Sequence, residues 1–116
     1  MFNFFNTTTD EIVNYNEILG ELQEGKAKLI DIRERAEWDQ IHFKEALNLP
    51  LSELAKGRGV KVLKQLRRKN QKLYFHCYSG SRVGMAKRIL SEFGCNEFSI
   101  IPVGMHKMAE AGFIAG

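Results

Sequence analysis

At 116 residues, with 44% hydrophobic side chains and a net charge of +3, the chain is long enough for one buried core and too weakly basic to suggest nucleic-acid binding. Its two cysteines, Cys77 and Cys95, are too few for a disulfide framework or a cysteine-based zinc site. No apolar run approaches membrane-spanning length, and Met1-Phe-Asn-Phe-Phe lacks the basic start of a secretory signal, so a reducing cytoplasmic setting with no membrane partner is expected.

The elements follow in order. Thr8-x-x-Glu11 has the form of a capping box, and Ile12, Tyr15, Leu19 and Leu22 trace a helical stripe that ends at Gly25. Lys28 to Ile32 reads as a strand, Glu34 to Asp39 as a short helix, and Ala46 to Leu49 as a second short strand. Leu51 to Lys56 begins a helical stretch that Gly57 and Gly59 interrupt, and it resumes from Val60 to about Lys69. Lys72 to Cys77 reads as a strand buried on both faces. Val83, Ala86, Ile89, Leu90 and Phe93 then recur at helical spacing. A strand from Glu97 to Ile101 and a helix from about Gly104 to Ala111 complete the set. Strands alternating with helices predict an α/β fold, a mostly parallel sheet with helices on both faces.

Residues Cys77 to Arg82, Cys-Tyr-Ser-Gly-Ser-Arg, stand at one of these strand-to-helix junctions. The amides of a first helical turn have no carbonyl partners, and the helix dipole adds partial positive charge; both favour a thiolate over a thiol. A free cysteine has a pKa near ~8.5, and helix N-termini or a nearby arginine lower it to roughly 3.5–7.5. Arg82 is expected to add such a charge. Gly80, with the small Ser79 and Ser81, lets the backbone curl so that several N–H groups converge on one point. A cysteine that ends a strand is most often a small core residue. Such a residue has no need of a glycine, two serines and an arginine directly after it. Cys77 is therefore the candidate nucleophile, and Tyr78, Ser79, Gly80, Ser81 and Arg82 are its candidate binding loop.

With these residues in view, the chain resembles a single-domain rhodanese, of the sulfurtransferase family, from about Thr8 to Gly112. The loop matches the family's Cys-x-x-Gly-x-Arg form, and Leu29-Ile-Asp-Ile-Arg-Glu34 matches its first long strand. His42, Ala46, Asn48 and Pro50 fall at the spacing of its Gly-His-Ile-Pro-Gly-Ala-x-Asn-x-Pro segment, although Ile41, Lys44 and Glu45 replace Gly, Pro and Gly. Met108 stands where the family commonly has Trp.

The resemblance implies one rhodanese-like domain over residues 1–116, needing neither a cofactor nor a metal. It implies a Cys77 persulfide formed from an anionic sulfur donor such as thiosulfate and passed to a thiol, to cyanide or to a sulfur-accepting protein. Related cysteine phosphatases resemble His-Cys-x5-Arg, one residue longer than the loop here. A phosphatase or arsenate reductase is the third reading, after a sulfurtransferase and a non-catalytic rhodanese-like binding module.

Other candidates carry less. Asp31 and Arg33 fit a structural ion pair better than a catalytic one. His42 fits a structural role, and His76, alternating with Cys77 along the strand, faces away from it. His106 could sit at the rim of the site. Cys95, after Gly94, fits a loop or core position better than a resolving thiol. Lys61, Lys64, Arg67, Arg68, Lys69 and Lys72 form the densest basic cluster. Val60, Leu63 and Leu66 make the other face of that helix apolar, so these charges read as a solvated face rather than a nucleic-acid site.

Overall fold

In the computed structural model, which describes residues 14–116, the first described element is helix α1 (Tyr15–Gln23), capped where the Glu17 N–H donates to the Asn14 side chain at 3.0 Å. The capping box expected at Thr8 and Glu11, and the stripe residue Ile12, lie outside the described residues. Strand β1 (Ala27–Asp31) and helix α2 (Arg35–Gln40) follow, then strand β2 (Ala46–Asn48). Helices α3 (Leu51–Ala55) and α4 (Val60–Arg68) lead to strand β3 (Lys72–His76), helix α5 (Val83–Glu92), strand β4 (Ser99–Ile100) and helix α6 (Met105–Glu110).

The four strands form one parallel sheet in the order β2-β1-β3-β4. β1 and β3 lie inside it and pair in register from Ala27 opposite Lys72 to Asp31 opposite His76. Both are buried on both faces, which explains why they read as apolar runs without alternation. The expected α/β architecture is therefore present. One face of the sheet packs Ile30, Ile32, Phe75 and Cys77 against Leu54, Leu63, Ala86 and Leu90 of α3, α4 and α5. The other packs Leu29, Tyr74 and Ile101 against Ile18 of α1 and Met105 and Met108 of α6.

The largest departure from the sequence reading is β4, expected over five residues from Glu97 to Ile101. It is an edge strand that pairs only through Ser99 and Ile100, opposite Tyr74 and Phe75. Phe98 instead turns its ring onto Phe75, with centroids 5.0 Å apart. Phe93, expected at the helical spacing of α5, is the residue after its last turn and is exposed. The basic cluster is broken up by acidic partners, Arg67 with Glu97 at 3.4 Å and Lys72 with Glu21 at 2.7 Å. Among the described residues no helix is long and apolar enough to cross a membrane.

The chain leaves β1 toward one edge of the sheet, returns, and enters β3 on the other side of β1. This reversal opens a crevice at the carboxyl ends of the two strands, the place where parallel sheets bind their ligands. Asp31 and His76 end the paired register there, and Cys77 is the next residue.

Candidate active site

Cys77 emerges from β3 on the face that packs against α5, and its side chain is fully buried. The chain then curls back over the sulfur. The backbone N–H of Gly80 points to Sγ at 3.1 Å, and that of Arg82 at 3.2 Å. Arg82 is the residue before the first turn of α5, so the second of these amides belongs to the positive end of a ten-residue helix. Two fixed donors on one sulfur are suited to hold a negative charge there without reorganising.

Two glycines make the curl possible. Gly80 has φ +89, and a Cβ at that position would run into the carbonyl oxygen of Pro102. A Cβ on Gly104 would lie 2.7 Å from the carbonyl oxygen of Tyr78, which accepts the Met105 N–H at 2.8 Å. The loop is thus pressed against the segment between β4 and α6 on one side. The Ser79 and Ser81 hydroxyls bond each other at 3.0 Å, and the Tyr78 side chain is 63% exposed at the mouth.

Arg82 lies close enough for its charge to couple to Cys77, and its side chain is taken up by a carboxylate on another helix. Its guanidinium forms a two-pronged pair with Glu37 of α2, Nη1 to Oε1 at 2.7 Å and Nη2 to Oε2 at 2.8 Å. Its contact with Sγ is made by its backbone. The pair drives the Arg82 pKa up and, through the Arg82 hydrogen bonds and the Glu34 N–H, holds the Glu37 carboxyl down at about 2. Glu37 is the site residue that the sequence reading lacks. The visible signal was its place three residues after Glu34: Glu37 Oε1 accepts the Glu34 N–H at 3.0 Å, closing a capping box on α2.

Asp31 and Arg33 form the structural pair expected of them. The Asp31 carboxylate accepts from Arg33 Nε and Nη2 at 2.9–3.1 Å, with both side chains buried. The remaining Arg33 donors reach the carbonyls of Glu37 at 3.4 Å and Ile41 at 2.5 Å, which fixes the C-terminal turn of α2 to the end of β1. Asn48 joins them, its amide donating to the carbonyls of Asp31 and Arg33. Ile41 has φ −162, extended backbone open to any residue, so the segment holds its course without the glycine common there.

The three histidines lie outside the sulfur's contacts. His76 projects into the opposite layer, its ring 5.4 Å from Phe43, as strand alternation requires. Its Nε2 is 3.7 Å from Asp31 Oδ2, and burial pushes its pKa down despite that carboxylate. His42 stacks on Trp38 at 3.7 Å and donates through Nδ1 to the Trp38 carbonyl at 2.8 Å. His106 is exposed and pairs with Glu110 one turn along α6 at 3.1 Å. Cys95 sits in the core beside α4 and α5, and burial pushes its thiol pKa up, the opposite of activation. Among the described residues no three His, Cys, Asp or Glu side chains converge as a metal site requires.

The model of the rhodanese-like domain matches residues 14–111. The chain is 35% identical over 82 residues to the uncharacterized protein YqhL of Bacillus subtilis, covering 71% of this chain and 60% of that one. It is 34% identical over 65 residues to the thiosulfate sulfurtransferase PspE of Escherichia coli, covering 56% of this chain and 59% of that one. The matches thus span about three fifths of the length of either relative. Among solved structures, a rhodanese-related protein from Thermoplasma volcanium superposes with a TM-score of 0.69 at 22% identity, covering 90% of this chain and 95% of that one. The human single-domain sulfurtransferase TSTD1 superposes with a TM-score of 0.65 at 24% identity, covering 82% and 91%. At those identities the two structures speak for the fold.

Proposed function

Because the chain belongs to the rhodanese-like domain family, we propose that it is a sulfurtransferase carrying sulfane sulfur on Cys77 from a donor such as thiosulfate to cyanide or a thiol. The observation that carries this reading is the pair of amides, Gly80 and Arg82, aimed at one sulfur inside a loop closed by an anchored arginine.

The Cys77 thiolate attacks the outer sulfur of thiosulfate. A new S–S bond forms as the old one breaks, sulfite departs with the bonding pair, and Cys77 is left as a persulfide anion. An acceptor then attacks the terminal sulfur: cyanide leaves as thiocyanate, or a thiol as a persulfide, and the Cys77 thiolate is restored. The loop amides stabilise the anion at each stage, and the dipole of α5 supports them. Since Glu37 neutralises the Arg82 guanidinium, these backbone dipoles carry most of that task. Tyr78, exposed at the mouth, would govern which donors reach the thiol. The four residues between Cys77 and Arg82 favour a single sulfur over a tetrahedral phosphoryl group, as in the family the loop resembles. Residues 1–116 would act as one rhodanese-like domain, in the cytoplasm, without metal or organic cofactor.

The test is direct. Reduced protein incubated with thiosulfate should gain the mass of one sulfur on the Cys77 peptide and lose it to cyanide. Cys77→Ser should abolish loading while the fold persists. Loading that survives with Cys95 intact would move the site to Cys95. Wild-type protein that takes no sulfur from thiosulfate, mercaptopyruvate or a persulfide would overturn the activity.

A further inference from the structure

We propose that Glu37 is the positioning residue of this site: its carboxylate fixes Arg82 so that the Arg82 backbone N–H stays on Cys77 Sγ. The proposal rests on Cys77 being the reactive thiol, and it concerns how the thiol is prepared rather than which donor it meets.

Arg82 is where the loop becomes a helix. It lies in the right-handed region at φ −84 and ψ −15, and α5 has no side-chain cap to fix its start. The hydroxyl pair of Ser79 and Ser81 is local to the loop, and the contacts of Tyr78 and Gly80 secure only its other end, against residues 102–105. Val83 and Ala86 seat the start of α5 in the core, and the two-pronged bond to Glu37, a planar fork, sets the orientation of the arginine end as well as its distance.

Glu37 is itself held from behind. Its Oε1 accepts the Glu34 N–H, and the carbonyls of Glu37 and Ile41 accept from Arg33, which Asp31 locks to the end of β1. The Glu34 carboxylate in turn accepts the Ser52 hydroxyl and N–H at the start of α3. Position is thus handed from the sheet to α2, from α2 to Arg82, and from Arg82 to the sulfur. The carboxylate is ionised at any ordinary pH, since Arg82 and the Glu34 N–H hold its pKa near 2.

Three roles for Glu37 give three different results. If it positions the amide, Glu37→Ala slows alkylation of native Cys77 by iodoacetamide at neutral pH by about threefold, because losing one hydrogen bond to the thiolate lowers its fraction by about tenfold while raising its intrinsic nucleophilicity. If it acted by its charge alone, its loss would leave the Arg82 guanidinium unneutralised near the sulfur and would speed alkylation. If it only stabilised the fold, the thermal midpoint would fall and the Cys77 rate would not change. Either of the last two results overturns the proposal. Glu37→Gln, which keeps an acceptor for the Glu34 N–H and one prong to Arg82, should fall between wild type and Glu37→Ala. Adding Glu37→Ala to Arg82→Ala should slow the thiol no further, and an additive loss would also overturn it.

Peptide masses report both thiols in one experiment. Cys95 is buried like Cys77 but lies outside the loop, so it should keep its wild-type rate; parallel changes at both cysteines would show a loosened core and overturn the proposal. Iodoacetamide needs no sulfur donor, so the outcomes separate cleanly. A slowed Cys77 in a protein that takes no sulfur would sustain the role of Glu37 and reject the sulfurtransferase reading.

Discussion

Gly80 concentrates the demands of the sulfur loop in one residue. Its φ of +89 lies where side chains are strained, and the Pro102 carbonyl occupies the place a Cβ would take. Gly80→Ala should therefore cost about 1–3 kcal/mol of stability and lift the Gly80 N–H off the Cys77 sulfur. Denaturant unfolding would measure the first effect and persulfide formation the second; loading at the wild-type rate would show that this amide is dispensable. Gly84, one turn on, supplies the contrast. It has ordinary helical backbone and open space around a Cβ, so Gly84→Ala should leave loading intact and stabilise by up to about 1 kcal/mol. Of the residues that form the loop, the cysteine, the glycine and the arginine were legible in the sequence because each has a distinct chemical reason to be there. The direction of the Arg82 side chain was not, because its partner lies 45 residues away.

Helix α2 carries that partner and is only six residues long, too short to persist on its own. It is maintained by its capping box and by Arg33, whose guanidinium binds the carbonyls at its C-terminal end. Arg33 depends in turn on Asp31, since its charge is buried and has no other carboxylate partner at salt-bridge distance among the described residues. Asp31→Asn should destabilise the protein by about 3–5 kcal/mol, the cost of leaving one member of a buried pair unpaired. Because α2 would lose its anchor, Arg82 would lose its own, and Cys77 alkylation should slow as well. Unfolding curves alongside alkylation would show whether the two losses are coupled; a stability loss under about 1 kcal/mol would mean that the pair has little structural weight. The short helix and the strand before it were readable from pattern. Their junction through Arg33 carbonyl contacts was not, since backbone acceptors leave no mark on the residues that own them.

Across the whole molecule, the sheet divides the core into two layers, with Cys77 in one and His76 in the other. His76 is wholly buried, and burial outweighs the nearby Asp31, so its pKa in the folded protein lies below its ordinary value of 6.5. Below that value the unfolded chain binds a proton that the folded one resists, so stability is full above about pH 6.5 and declines as pH falls beneath it. Unfolding midpoints between about pH 7.5 and about pH 5 should show this slope, and His76→Leu should flatten it. An unchanged slope in the variant would assign the effect to other groups. The sequence by itself determined the order of elements, the two apolar central strands and the position of the candidate nucleophile. Hydrophobic periodicity and turn chemistry are local, and a thiol at a strand-to-helix junction with Gly and Arg after it is a local pattern too. Only the tertiary structure decided that β4 pairs through two residues, that the guanidinium of Arg82 serves Glu37, and that Asp31 steadies α2 through Arg33. Those contacts join residues distant in the chain, and which partner each group finds depends on where the packed layers leave it.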